Sequence, residues 1–282
     1  MALVSDGSLV DFIDDMLPGG REFLVMLKVY LDRGYKEDGT DAVVAVAAVV
    51  FRPVAYKQFV RPWNRLLRGW TASAFHSTDF YPGAQEFKRG TQAKKDRFDR
   101  DSKIVPRLIR ENTKYILVVA ARPQEFLKEA PDSWKNTFGT NIHAIGIQTL
   151  LITMGWWAED NCYNEKFAYF RESGDKDDGE VARSVEAMRT GHPDTARLIR
   201  ISSFAHVQKG IERGTEAADC VAWHWNKWYM DKARRGKEQE PRKDFAELVG
   251  SQKDKFGYIF LTGDRLKFFF TLKPRERSEI VI

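Results

Sequence analysis

The stretch LVMLKVYLD, residues 24–32, predicts the central strand of the fold. It is a nearly unbroken apolar run, and such runs are typical of strands that are covered on both faces. Asp32 stands at the carboxyl end of the run, and the nearby Gly34 predicts a turn. The run AVVAVAAVVF, residues 42–51, predicts a second strand that pairs antiparallel with the first. We therefore expect a carboxylate at the edge of a rigid sheet, although an acid that ends a strand is also an ordinary turn residue.

Apolar runs and helical patterns alternate along the rest of the chain. Further strands are predicted at residues 71–75, 115–121, 166–170 and 198–204. Helices are predicted at residues 5–17, at 53–70 with a bend or break at Pro62, and at 141–157, 179–188 and 216–235. This alternation predicts an α/β fold in which a mixed β-sheet carries helices on both of its faces.

The pattern also suggests how the chain is divided. We expect an N-terminal helical extension over residues 1–20, a main domain over residues 21–235 and a C-terminal extension over residues 236–282 that packs on the same domain. In that extension, the segments YIFLTG and LKFFFTL predict a hairpin that extends the sheet or covers one of its edges.

Composition limits the classes of protein to consider. The chain has 282 residues, a net charge of +5 and two cysteines, which are too few for a disulfide framework or a four-cysteine zinc site. Its N-terminus is acidic, and no apolar run approaches the roughly 20 residues that a membrane span needs. These features predict a cytoplasmic protein without a membrane partner. The mildly basic surface permits a nucleic-acid partner without requiring one.

Acidic residues recur where predicted elements end or begin. Asp32, Asp79 and Glu172 each follow an apolar strand, and Glu216 and Asp219 lie three residues apart in the first turn of the helix that follows. Each is unremarkable alone. If they converged, they would suit a hard divalent cation such as Mg²⁺ or Mn²⁺, because these ions prefer oxygen ligands. A carboxylate site of this kind supports phosphoryl displacement by the two-metal scheme.

Basic and aromatic residues offer contacts to nucleic acid. Lys94, Lys95 and Arg97, in the charged segment 85–112, and Lys209 are candidates for contact with phosphates, although a charged run is more often a solvated helix face. The tryptophans at helical spacing are more often core residues than platforms for bases. The segment DKDDGE superficially resembles a calcium loop but lacks its full ligand pattern, so it predicts a loop that caps the next helix.

Three stretches, VYLDRGY (29–35), FHSTDF (75–80) and TEAADCVAWHWNKW (215–228), resemble the spaced motifs of domain of unknown function 3800. This is a bacterial and phage family similar to ribonuclease H-like nucleases, and the resemblance covers about residues 24–232. It implies a ribonuclease H-like fold and a divalent-metal-dependent nuclease acting on DNA or RNA.

The resemblance also assigns roles to residues. Asp32, Asp79 and Asp219 match acids of the motifs, His76 matches a histidine that would orient water or phosphate, and Glu172 fits loosely an acid after a later strand. Two positions depart from the family pattern: Arg33 stands where the family has Glu, and Glu216 stands where it has Gln.

Two functions are compatible with these observations. The first is a nuclease with Asp32, Asp79, Glu172 and Asp219 as metal ligands and Glu216 as a further candidate. The second is a catalytically inactive relative that binds nucleic acid or protein, which the Arg33 departure leaves open, and a homodimer is compatible with either. We expect Glu216→Gln to keep most activity and Asp219→Asn to lose it, with both variants folded.

Overall fold

The structure is a computed structural model that describes residues 26–36, 43–81, 91–132, 135, 141–191, 193–235, 243–250 and 255–261. Its centre is a six-stranded mixed sheet in the order β5-β4-β1-β2-β3-β6. The strands are β1 Leu27–Lys36, β2 Val43–Phe51, β3 Tyr115–Ala121, β4 Phe167–Glu172, β5 Ile201–Val207 and β6 Phe256–Leu261. β2 runs antiparallel to β1 and β3, while the β1–β4, β4–β5 and β3–β6 pairs are parallel. The carboxyl ends of the other five strands therefore meet at one edge of the sheet.

Helices cover both faces of this sheet. Those of the described residues are α1 Pro53–Trp70, α2 Ser77–Phe80, α3 Gln92–Asn112, α4 Pro123–Glu129, α5 Ile142–Asp160, α6 Asp178–Gly191, α7 Pro193–Ile199, α8 Arg213–Arg235 and α9 Lys243–Val249. α5 packs on one face together with α6 and α7, and α8 packs on the other together with α1, α3 and α9. We call these the α5 face and the α8 face.

Alternation along β1 distributes its side chains between two cores. Leu27, Val29 and Leu31 are buried in the core of the α5 face, while Tyr30 is buried in the core of the α8 face. Each such side chain contributes about 1.5–3 kcal/mol by leaving water. Because both faces of the sheet are covered, apolar residues occupy both faces of β1 at residues 29–31, and all nine residues of β2 are apolar and buried, which explains the continuous runs in the sequence.

The predicted α/β class with a mixed sheet and helices on both faces is confirmed, but several boundaries are not. β1 continues to Lys36, which pairs with Val43, so Asp32 lies within the strand rather than at its end. The run at residues 71–75 is not a strand. It begins with Thr71 in the left-handed region (φ 55°) and carries the chain from α1 to α2. Pro62 does not split α1, whose buried residues lie both before and after it.

Part of the predicted extensions lies outside the described residues, namely the N-terminal helix and the second strand of the C-terminal hairpin. The first strand of that hairpin is β6, which extends the sheet beside β3. No helix in the described ranges combines the length and the apolar character needed to cross a membrane.

Candidate functional site

Two close approaches fix α8 against β1. A Cβ atom at Gly214 would lie 2.1 Å from the ring of Tyr30, and a Cβ atom at Gly34 would lie 2.4 Å from Nδ2 of Asn226. At both places the absence of a side chain lets the helix and the strand approach each other. One contact is near the start of the helix and the other is about three turns later. The middle of β1 therefore faces the second turn of α8.

Three acids from distant parts of the chain meet in this region. Leu31 pairs with Arg171 in the parallel register of β1 and β4, so Asp32 and Glu172 stand side by side on the α8 face. Asp219, in the second turn of α8, faces them across the gap between helix and sheet. Its charge and that of Glu172 both act on Asp32. We call Asp32, Glu172 and Asp219 the carboxylate centre.

The pKa values reflect the crowding of negative charge. Burial raises the pKa of Asp32 well above its usual range, and the neighbouring charges of Asp219 and Glu172 raise it further. The pKa of Asp219 is also raised, chiefly by burial, although the Ser77 amide and the His76 ring oppose this. Asp32 and Asp219 therefore resist ionisation together, as carboxyls that share a buried site do.

Polar and basic groups border the carboxylate centre. The backbone N–H of Ser77 donates to Oδ2 of Asp219 at 2.7 Å, and Nδ1 of His76 lies 3.7 Å from the same oxygen. Nζ of Lys209 lies 3.6 Å from Oε1 of Glu172, and its charge also acts on Asp219. A histidine and a lysine thus lie beside the acids, where they can contact an anionic ligand.

Two acids predicted from the sequence are placed differently from these three. Asp79 lies on α2 and is exposed, whereas the acids of the carboxylate centre are half-buried. Glu216 is 1% exposed and accepts hydrogen bonds from Nε1 of Trp63 and Nη1 of Arg213, both at 2.6 Å. It lies on α8 but faces α1, so its carboxylate is occupied within the core.

The basic residues predicted to contact phosphates also differ in their distance from the carboxylate centre. Lys209 borders the carboxylate centre, whereas Arg97 pairs with Asp101 one turn later on α3, with 3.4 Å between Nε and Oδ2. Lys94 and Lys95 belong to the first turn of the same helix, and their side chains lie outside the described part of the structure.

The structure also contains an acidic group that the sequence analysis treated as a helix-capping loop. Among the described residues, Asp175, Asp177 and Asp178 have carboxylate oxygens within 4.8 Å of one another. They lie on the α5 face, where Arg171 and Arg33 pair with them. The sequence signal for this group was the acid-rich segment DKDDGE, but the two arginine partners could not be read from it.

The donor set of the carboxylate centre fits a hard divalent cation, because all of its side-chain ligands are carboxylate oxygens. Within the described chain, these three acids do not form a group as tight as Asp175, Asp177 and Asp178. Mutual repulsion gives a reason for the wider spacing, and we expect a cation to draw the carboxylates together.

This arrangement predicts how stability depends on pH when no divalent cation is present. The folded-state pKa of Asp32 is raised, so the folded protein binds a proton more tightly at this site than the unfolded chain, whose Asp titrates near 3.9. Ionisation of Asp32 therefore destabilises the fold as pH rises from about 4 through the raised pKa. In buffer that contains a chelator, we expect Asp32→Asn to melt at a higher temperature than the wild type. The difference in melting temperature should grow as the pH rises from about 4 through the raised pKa of Asp32.

Thermal unfolding of both proteins between pH 4 and pH 8 measures this difference. Added Mn²⁺ should reverse the order by stabilising the wild type alone. Equal melting temperatures at every pH would contradict the view that Asp32 carries an unfavourable charge.

Searches with the sequence matched no protein-family model and no curated protein. The functional argument therefore depends on the carboxylate centre itself.

Proposed function

We propose that the protein is a divalent-metal-dependent nuclease that hydrolyses phosphodiester bonds of DNA or RNA, with a ribonuclease H-like fold related to the domain of unknown function 3800 family. The observation that carries the proposal is the meeting of Asp32, Glu172 and Asp219. These residues come from β1, β4 and α8, which are separated by most of the chain, and they meet beside a histidine and a lysine.

The topology supports this assignment. Placing β4 parallel to and beside β1 brings two acids to adjacent strands, and the glycine contacts of α8 bring the third acid over them. Ligand sites in open α/β sheets form outside the carboxyl ends of the strands. The carboxylate centre lies toward that edge, on the α8 face.

The chemistry would divide among these residues as follows. Asp32, Glu172 and Asp219 would hold Mg²⁺ or Mn²⁺, which when bound supplies the positive charge that stabilises the displacement at phosphorus. His76 would orient water or a phosphate oxygen. Lys209 would hold a neighbouring phosphate and keep it close to Glu172. The expected setting is the cytoplasm, with nucleic acid as the partner.

Arg33 does not argue for the inactive alternative. The side chain of Arg33 lies on the α5 face, where it contacts His143 and Asp175, and β1 separates it from Asp32. The guanidinium group of Arg33 therefore does not lie among the three acids of the carboxylate centre. A nuclease remains compatible with arginine at this position.

The direct test is incubation of the purified protein with single-stranded and double-stranded DNA and RNA in Mg²⁺ or Mn²⁺, with a chelator control. We expect cleavage of at least one substrate that requires the metal and is abolished by the chelator. Nucleic-acid binding without cleavage under all of these conditions would favour the inactive relative.

A prediction for Lys209 follows from its position beside Glu172. Lys209→Gln should weaken substrate binding at low salt and lower the slope of log affinity against log salt by about one, because one phosphate contact is lost. The matched control is Lys166→Gln, an exposed lysine just before β4 at the opposite edge of the sheet. The affinity of both variants for nucleic acid is measured at several salt concentrations. If both substitutions change it equally, Lys209 does not contact a phosphate.

A further inference from the structure

Two arginines project from adjacent strands directly behind the carboxylate centre. Arg171 precedes Glu172 on β4, and Arg33 follows Asp32 on β1. Because side chains alternate along a strand, both arginines lie on the α5 face while the two acids lie on the α8 face. Contacts that fix the two arginine side chains therefore also fix the segments of β1 and β4 that carry Asp32 and Glu172.

Arg171 is the centre of the contacts on the α5 face. Its side chain is 4% exposed, and Nη2 donates to Asp175 at 2.9 Å and to Asp177 at 2.8 Å. Its Nη1 donates to Asp178. All three acids belong to the loop and the first helical turn that follow β4, so the guanidinium group folds this segment back onto its own strand.

Arg33 adds a second strand to the same group. Its Nη2 donates to Oδ1 of Asp175 at 2.6 Å, while the other oxygen of Asp175 is bound by Arg171. Its Nη1 lies 3.6 Å from Oδ2 of Asp177. Asp175 thus bridges the arginines of β1 and β4. We call Arg33, Arg171, Asp175, Asp177 and Asp178 the arginine cluster.

The charges of the arginine cluster nearly balance without an ion. Three carboxylates face two guanidinium groups, and Nδ1 of His143 lies 2.7 Å from Oδ2 of Asp177. Burial by itself raises the pKa of Asp177, but the hydrogen bonds from His143 and Arg171 lower it well below its usual range. Asp177 is therefore held in its charged form, and Arg171 already pairs with all three acids.

The arginine cluster is accessible to cations. A cavity of about 610 Å³ opens onto it, with Arg33, Asp175 and Asp177 in its lining. The carboxylate oxygens are close enough to share an ion. What opposes binding is the guanidinium groups, which take the same oxygens and would have to be displaced.

We propose that Arg33 and Arg171 are positioning residues whose guanidinium groups replace a metal ion among Asp175, Asp177 and Asp178, and thereby hold the segments of β1 and β4 that carry Asp32 and Glu172 in register. The planar guanidinium suits this role because it binds two carboxylates in fixed directions. Divalent cations are thus directed to the α8 face. The consequence for Asp32 and Glu172 rests on the proposed function, whereas the replacement of an ion does not.

Calcium titration tests the replacement directly. The parent protein carries Asp219→Asn, which weakens the carboxylate centre, and Arg33→Gln is added because Arg33 is more exposed than Arg171 and its loss threatens folding less. We expect Arg33→Gln to bind Ca²⁺ at least about tenfold more tightly than the parent in isothermal titration, since Oδ1 of Asp175 loses its partner, a positive charge beside Asp177 is removed, and carboxylate oxygens suit this ion. Adding Asp178→Asn to the Arg33→Gln variant should abolish this gain in Ca²⁺ affinity. Arg33→Lys in the same parent should gain less affinity than Arg33→Gln.

Two results would overturn the inference. The first is a parent that already binds Ca²⁺ through Asp178, and the second is an Arg33→Gln variant, folded by circular dichroism, that gains no binding. Both can be observed whether or not the protein cleaves nucleic acid. A failure of the proposed function, seen as absence of cleavage by the wild type, is thus distinguishable from a failure of this inference.

The positioning role has its own readouts. Hydrogen exchange at the amides of residues 171–178 should be at least about tenfold faster in Arg33→Gln than in the wild type, and close to wild type in Arg33→Lys. In the active enzyme, kcat should fall about tenfold with KM unchanged, because substrate contacts remain while the ligands lose register. Unchanged exchange in Arg33→Gln would refute the positioning role, even without measurable activity.

Discussion

Replacing Asp32 or Asp219 by asparagine is expected to reduce metal-dependent cleavage by about a thousandfold, the scale of losing a group that stabilises charge in the transition state. An amide oxygen cannot supply the negative charge that holds a hard cation against water. Both variants should fold. Asn keeps an oxygen that can accept from the backbone N–H of Ser77 at position 219, and from that of Arg33 at position 32.

Asp79→Asn is the matched control for these substitutions. Asp79 is an exposed acid three residues from His76, and its side chain matches the same family motif. If the metal is held by the carboxylate centre alone, this variant should keep activity within about threefold of the wild type. Initial rates at saturating Mn²⁺ measure all three variants. A loss in Asp79→Asn as large as in Asp32→Asn would mean that α2 moves to supply a fourth ligand.

The sequence predicted the strands best where burial on both faces left a continuous apolar run. Residues 115–121 form β3 as predicted, and residues 43–51 form β2 within one residue of the predicted start. The run at 71–75 failed because its apolar residues do not form a strand face. Phe75 is buried there between the rings of Trp63 and Phe80, in a turn between two helices.

The meeting of Asp32 with Glu172 could not be derived from periodicity. Alternation identifies a strand, but it does not say that β4 lies beside β1, and the register that aligns Leu31 with Arg171 depends on contacts 140 residues apart in sequence. The position of Arg33 depends on where β1 ends. The sequence analysis ended the strand at Asp32, whereas β1 continues to Lys36, so Arg33 belongs to the strand and its side chain lies on the opposite face from that of Asp32.

Glu216 shows the limit of reasoning from helical spacing. Residues three apart on a helix are neighbours, which suggested that Glu216 and Asp219 share an environment. However, α8 lies between β1 and α1, so a modest rotation around the helix moves a side chain from one to the other. Asp219 faces the sheet, and Glu216 faces Trp63 of α1. The sequence contained no signal for this separation, since it depends on where α1 packs.

The structure therefore changes the prediction for Glu216→Gln, which we now expect to lower stability. The carboxylate of Glu216 accepts from Trp63 and from Arg213, and both are donors. A glutamine has one acceptor oxygen, so its NH₂ group would face one of these donors inside the core. A buried donor without an acceptor costs about 1–3 kcal/mol, and Arg213 also loses its counter-charge.

Opposing effects set the size of this loss. Burial raises the pKa of Glu216 despite the nearby Arg213, so the charged form is not fully compensated in the wild type. The side chain of Arg213 is 18% exposed and can turn partly toward water. We therefore expect a loss of about 2 kcal/mol rather than the larger penalty of a fully buried broken pair. For a chain of this size, that corresponds to a melting temperature lower by about 4 °C.

A double variant separates the broken pair from the change in packing. In Glu216→Gln with Arg213→Met, the unpaired charge is gone, so the second substitution should cost less than it does in the wild-type background. Thermal unfolding of the two single variants and the double variant, all in Mn²⁺, gives the coupling free energy. At a temperature where each protein is folded, Glu216→Gln should still cleave nucleic acid at a rate within about threefold of the wild type. A stable Glu216→Gln protein that has lost activity and no longer gains melting temperature from Mn²⁺ would instead place Glu216 among the metal ligands.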